Sequence, residues 1–110
     1  MSVHKLHNSA PPHLREAGAI FWRDVVAEFH ISDAAGLALL TTAAECIDRM
    51  RAAQTAIAIH GEVITDARGV KINPACGLEK ESRAGFLAAL KALNLDLEPL
   101  RDRPGRPAGP

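Results

Sequence analysis

Between Asp33 and His60 the chain runs without a proline and with only Gly36 as a weak point, so one long helix is the simplest local structure. Ser32 is positioned as its N-cap, with Asp33 at the positive end of the helix dipole. Gly61 supplies the left-handed residue that ends it. Two apolar rows run along this helix. Leu39, Ala43, Cys46, Met50, Ala53 and Ile57 alternate at coiled-coil steps. Leu37, Leu40, Ala44 and Ile47 form a second row, about 100° round the cylinder. One packed neighbour covers one row. Left in water, each large aliphatic side chain of the other forgoes about 1.5–3 kcal/mol. Either the flanking helices of the same chain take one row each, or a second copy covers one of them. The second copy is the economical expectation, with Leu37, Leu40, Ala44 and Ile47 as the oligomer interface.

After Gly61 the pattern changes. Val63, Ile64 and Thr65 on one side and Val70 and Ile72 on the other flank Asp66-Ala67-Arg68-Gly69, a turn with Asp first and Gly fourth. This is a β-hairpin signal. A two-stranded hairpin alone is marginal in water, so it must pack on a helix or pair with a neighbour's edge. Asn73 then caps a third helix, and Pro74 at its first position needs no amide hydrogen. Glu79 and Arg83 form an i,i+4 pair on its outer face. Leu78, Phe86, Leu87, Leu90 and Leu93 are expected to face inward, and Asn94 to close the helix in the left-handed conformation.

Upstream, Met1 to Ala10 form a flexible arm carrying His4, Lys5 and His7. Pro11-Pro12 halts regular structure and presets the start of a first helix. From His13 to Phe29 apolar residues recur at steps of three and four, with Phe21 and Trp22 as core anchors. The fold class that follows is mainly α. A three-helix domain over residues 11–97 has a long central helix and a short β-hairpin between helices 2 and 3. A basic tail rich in Pro and Gly, expected to be disordered, occupies residues 98–110.

Much of the 47% hydrophobic content is alanine, with three Phe and one Trp, so the core is expected to be thin helix–helix contact. Thirteen basic residues balance thirteen acidic ones, which argues against a surface that coats nucleic acid throughout. Cys46 and Cys76 make neither a disulfide framework nor a zinc pattern. His4 and His7 lack a carboxylate or thiol framework for a metal. No phosphate-binding glycine loop, nucleophile with a paired base, or dinucleotide fingerprint occurs. A non-enzymatic, cytoplasmic protein without cofactor or metal is expected, and no apolar run approaches the ~18 residues of a membrane span.

Several pieces, taken in order, carry a resemblance. Pro11-Pro12-His13-Leu14 leads into a helix with the Phe21-Trp22 pair. A long helix with Asp48-Arg49-Met50 follows, then Gly61, the Asp66/Gly69 turn and the distinctive Asn73-Pro74-Ala75. The helix bearing Arg83, Phe86-Leu87, Leu90 and Leu93 closes with Leu95-Asp96, and Gly105-Arg106-Pro107 lies in the tail. In this order the chain resembles the small terminase subunit of tailed bacteriophages, of the P27 family. The resemblance implies a phage DNA-packaging adaptor that assembles into a homo-oligomeric ring and binds double-stranded viral DNA at its packaging site. It further implies delivery of that DNA to the terminase large subunit, which carries the ATPase and nuclease.

A ring multiplies modest positive patches, because each neutralised phosphate releases counterions. The candidate DNA contacts are Lys5 with Arg15 and Arg23, and Arg101, Arg103 and Arg106 of the tail. An Arg-Pro segment of this kind suits a minor groove. Glu45, Asp48, Arg49 and Arg51 are expected to be solvated pairs on the long helix. The alternatives are a small helical DNA-binding transcription regulator and a structural phage head or tail adaptor without DNA affinity.

Overall fold

The computed structural model describes residues 9–95. Lys5, Arg101, Arg103 and Arg106, with most of the expected arm and all of the expected tail, lie outside the described residues. The elements are α1 (Glu16–Phe29), α2 (Ala34–His60), β1 (Val63–Asp66), β2 (Gly69–Ile72) and α3 (Pro74–Leu93). This is the expected order of three helices with a hairpin between the second and third.

The ends of the helices follow local chemistry. Asp33, rather than Ser32, is the N-cap of α2, and its carboxylate accepts from the Gly36 amide at 2.9 Å. The chain turns after α1 at His30, whose φ of 54° lies in the left-handed region and whose N–H reaches the Val26 carbonyl at 2.8 Å. Asn94 takes the same conformation after α3, as expected from its place after the last leucine. Asn73 caps α3 by accepting from the Ala75 amide at 2.9 Å, with Pro74 in the first position.

The long helix α2 lies between the other two, and each neighbour takes one apolar row. Against the first row, α3 presents its smallest residues. Ala75, Ser82 and Ala89 are its buried positions, spaced by a heptad. A Cβ added at Gly85 would stand 3.0 Å from the Cys46 sulfur. Small side chains let the two backbones approach closely, and this displaces the expected inner face. Leu78 and Leu87 point outward to solvent, while Phe86, Leu90 and Leu93 are half-buried.

The second row is covered by α1. Trp22, Val25 and Val26 pack with Leu40 and Ala44 in one core cluster, with Phe21, Phe29, Leu37 and Leu93 around it. The Trp22 indole N–H donates to the Thr41 hydroxyl at 3.2 Å, so its one polar atom is satisfied within the core. Leu40 and Ala44 are 0% exposed and Ile47 is 8% exposed, with Leu37 half-buried at the rim. The expectation that Leu37, Leu40, Ala44 and Ile47 form an oligomer interface is therefore corrected. One protomer already buries Leu40, Ala44 and Ile47, the first two beneath Trp22, Val25 and Val26. Phe21 extends α1 toward α3, meeting Phe86 edge-to-face at 5.5 Å between ring centroids.

The hairpin stands apart from this packing. Its strands pair antiparallel in the register Val63↔Ile72, Ile64↔Lys71, Thr65↔Val70, Asp66↔Gly69. The Asp66 carboxylate accepts from the Arg68 amide at 2.8 Å, and Gly69 has a φ of 123° that any side chain would strain. Only Ile64 of the strand residues is even partly covered.

Leu40→Ala is expected to destabilise the isolated chain by about 2–5 kcal/mol, the cost of a core cavity. Urea unfolding at two protein concentrations checks this. The loss should be the same at both, whereas an interface leucine would lose stability only where copies associate.

Candidate functional site

A concavity lies where the segment leading into α1 meets α2 and α3. It is a groove of about 430 Å³. Ala52, Ala53, Ala56, Ala75 and Leu78 make an apolar floor, and His13, Arg15, Glu45 and Arg49 stand at its polar end.

That polar end is organised by Asp48. Helix α1 has Arg15 at its N-cap position, a side chain that accepts nothing. Its first amides therefore need an acceptor from elsewhere. The buried Asp48 carboxylate supplies it across the helix pair. One oxygen accepts from the Arg15 amide at 2.6 Å, the other from the Gly18 amide at 2.7 Å. These are the two bonds that a capping box divides between two residues, here made by one side chain of another helix. The negative charge also lies at the positive end of the α1 dipole. Gly18 permits the approach, since a Cβ there would stand 2.6 Å from both the Ala44 carbonyl and the Asp48 carboxylate.

A second clasp lies beside the first. The His13 ring nitrogen Nε2 meets the Glu45 carboxylate at 2.7 Å, joining the segment before α1 to α2. Asp48 is therefore not the solvated pair residue expected from sequence, and Glu45, though partly exposed, pairs with His13 rather than along α2. Asp48 holds the start of α1 and Glu45 the segment before it, whereas Arg49 and Arg51 are exposed. Elsewhere, Glu79 of α3 accepts from Arg83 and from the Gln54 side chain of α2, the latter at 3.1 Å. The bond from Arg83, then that from Gln54, hold its carboxyl below the ordinary value.

Of the candidate DNA contacts, the described ones are Arg15 and Arg23, both exposed on or beside α1. Arg15 borders the groove, while Arg23 borders a separate concavity of about 420 Å³ with His30 and Ile31. They do not form one cluster. Sequence reasoning misses the role of Asp48, although one signal exists: a first helix without its own capping side chain, opposite an acidic residue one turn beyond Ala44. Among the described residues, no group of three or more His, Cys, Asp or Glu is arranged to hold a metal ion. Among them also, no helix is long and apolar enough to cross a membrane.

No protein-family model, curated protein or solved structure matches this chain.

Asp48→Ala is expected to cost on the order of 2–3 kcal/mol, because it strands two amides at a helix start. Asp48→Asn, which keeps one acceptor oxygen, should lose less. Urea midpoints of the two variants check the order, and equal losses would mean that packing rather than capping is at stake.

Proposed function

We propose that this chain is a DNA-packaging adaptor of the small-terminase type. On this reading it self-assembles, binds double-stranded viral DNA at the packaging site and passes it to the large ATPase–nuclease subunit. The reading rests on the sequence resemblance, and one observation carries it furthest: the chemistry of the Asn73-Pro74-Ala75 junction.

This short motif is the most distinctive element of the resemblance, and its asparagine has three physical tasks. The Asn73 backbone amide donates to the Glu62 carbonyl at 2.8 Å, and its side-chain nitrogen donates to the Gly61 carbonyl at 2.8 Å. Its side-chain oxygen caps α3. One buried asparagine thus ties the end of α2, the root of the hairpin and the start of α3. The motif sets the angle at which the hairpin leaves the helices, a geometric role suited to a repeated assembly unit.

DNA contact on this reading is electrostatic and distributed over copies. Arg15 and Arg23 contribute from the α1 side, with Lys5, Arg101, Arg103 and Arg106 from the segments beyond the described residues. A neutral chain binds by such local patches when many copies act together.

Gel retardation of duplex DNA by the full chain, across a salt series, tests the reading. Retention at low salt that weakens steeply with salt is expected. Arg103→Ala with Arg106→Ala should lower the log–log salt slope by about 0.9 for each phosphate that is no longer neutralised. An unchanged slope would remove the tail as the DNA-binding segment, and no retention at any salt would favour a structural adaptor instead.

A further inference from the structure

We infer that the β-hairpin is the surface through which copies of this chain join, with β2 of one protomer adding antiparallel to β1 of the next. The inference rests on the proposed self-assembly and gives it a location that sequence periodicity alone would place on α2.

A two-stranded hairpin needs a further partner, either a helix beneath it or another strand beside it. The first option is not realised. Val70 is 70% exposed and Ile72 is 71% exposed, and Val63 is open to solvent as well. The hairpin is attached to the helices at its root, through Asn73, and projects from there. Among the described residues neither outer strand edge has a further strand beside it, and such an edge is a template for another chain.

The side chains select the partner. In the observed register, Val63, Thr65, Val70 and Ile72 share one face of the hairpin, and Ile64, Asp66 and Lys71 share the other. Continuing the same register from β2 of one copy to β1 of the next extends that apolar face across the boundary. Exposed contiguous apolar surface of this kind marks contact with protein rather than with a polyanion.

Charge sets the polarity of the join. The β1 side carries Glu62 and Asp66, while the turn and β2 carry Arg68 and Lys71. Joining β2 to β2, or β1 to β1, would oppose like charges, which is unfavourable across strands. Joining β2 to β1 brings Lys71 diagonally between Glu62 and Asp66 of the neighbour. A lysine on an edge strand opposes pairing in general, and the two carboxylates of the neighbour offset that penalty in this one arrangement. Such a contact is heterologous, using two different patches of each copy, and it builds a ring where the rotation between copies closes.

Sedimentation of the full chain and of a Val70→Glu/Ile72→Glu variant tests the inference, with circular dichroism monitoring the helices. The natural chain is expected to form a species of more than two copies, and the variant a monomer of unchanged helicity. A folded variant that still assembles would overturn the hairpin interface and leave the packaging reading standing. A natural chain that stays monomeric would overturn both. Assembly abolished in the variant, together with no DNA retention by the natural chain, would uphold the interface and remove the packaging reading.

A crosslinking pair keeps the test decisive if that variant misfolds. In a Cys76→Ser chain, Thr65→Cys and Val70→Cys are made separately and treated with a mild oxidant, so that only cysteines on directly facing strands come within disulfide reach. The mixture should crosslink between copies, and neither variant alone should do so. Crosslinking of either alone would show a two-fold join and overturn the head-to-tail one, as would a mixture that gives no crosslink.

Discussion

The fold depends on one carboxylate. Asp48 of α2 takes the place of the cap that α1 lacks, accepting from the Arg15 and Gly18 amides at 2.6 and 2.7 Å. Both bonds are charge-assisted, and the one from Gly18 is buried, the conditions in which a hydrogen bond contributes most. They also fix the position of α1 along α2. With Gly18 pressed against Ala44 and Asp48, Trp22, one turn further along, comes to lie over Leu40. A bulkier residue at Gly18 would lift α1 away and uncover that row.

The central helix is thereby shared between two unlike neighbours. On one side a few large residues, chiefly Trp22, cover Leu40 and Ala44. On the other, small residues at heptad spacing allow close backbone approach over the length of α3. Both apolar rows of α2 are largely covered inside one protomer, which leaves them little part in the proposed assembly. Among the described residues, apolar side chains left in solvent include Leu78 and Leu87 of α3 and, at the far end of α2, Val63, Val70 and Ile72 of the hairpin held by Asn73. If copies join through the hairpin as proposed, folding and assembly use separate surfaces, and an assembly-deficient protomer keeps its core.

Elements governed by local chemistry are legible in the sequence. The Asn73-Pro74 start and the Asn94 end of α3, the Asp66-to-Gly69 turn and the length of α2 all follow from residues acting on their immediate neighbours. Features set by partners distant in sequence are not. Periodicity shows that Leu37, Leu40, Ala44 and Ile47 form an apolar row, but not that Trp22 lies over it. It equally makes Leu78 and Leu87 look internal, whereas the small residues of α3 decide which side approaches α2. Asp48 looks solvated in the sequence because it is charged and followed by arginine, and its role becomes visible only beside the uncapped start of α1. Of the candidate DNA contacts, Arg15 and Arg23 are exposed, and their separation depends on three-dimensional placement that spacing alone does not convey.

The central claim is that Asp48 and the start of α1 form one cooperative unit with the core. Amide hydrogen exchange of Arg15 and Gly18 measures this most directly. Protection comparable to that of the amides around Leu40, and abolished at both positions in Asp48→Ala, is the predicted result. Exchange of these two amides at the rate of a frayed helix end, in the natural chain, would contradict it.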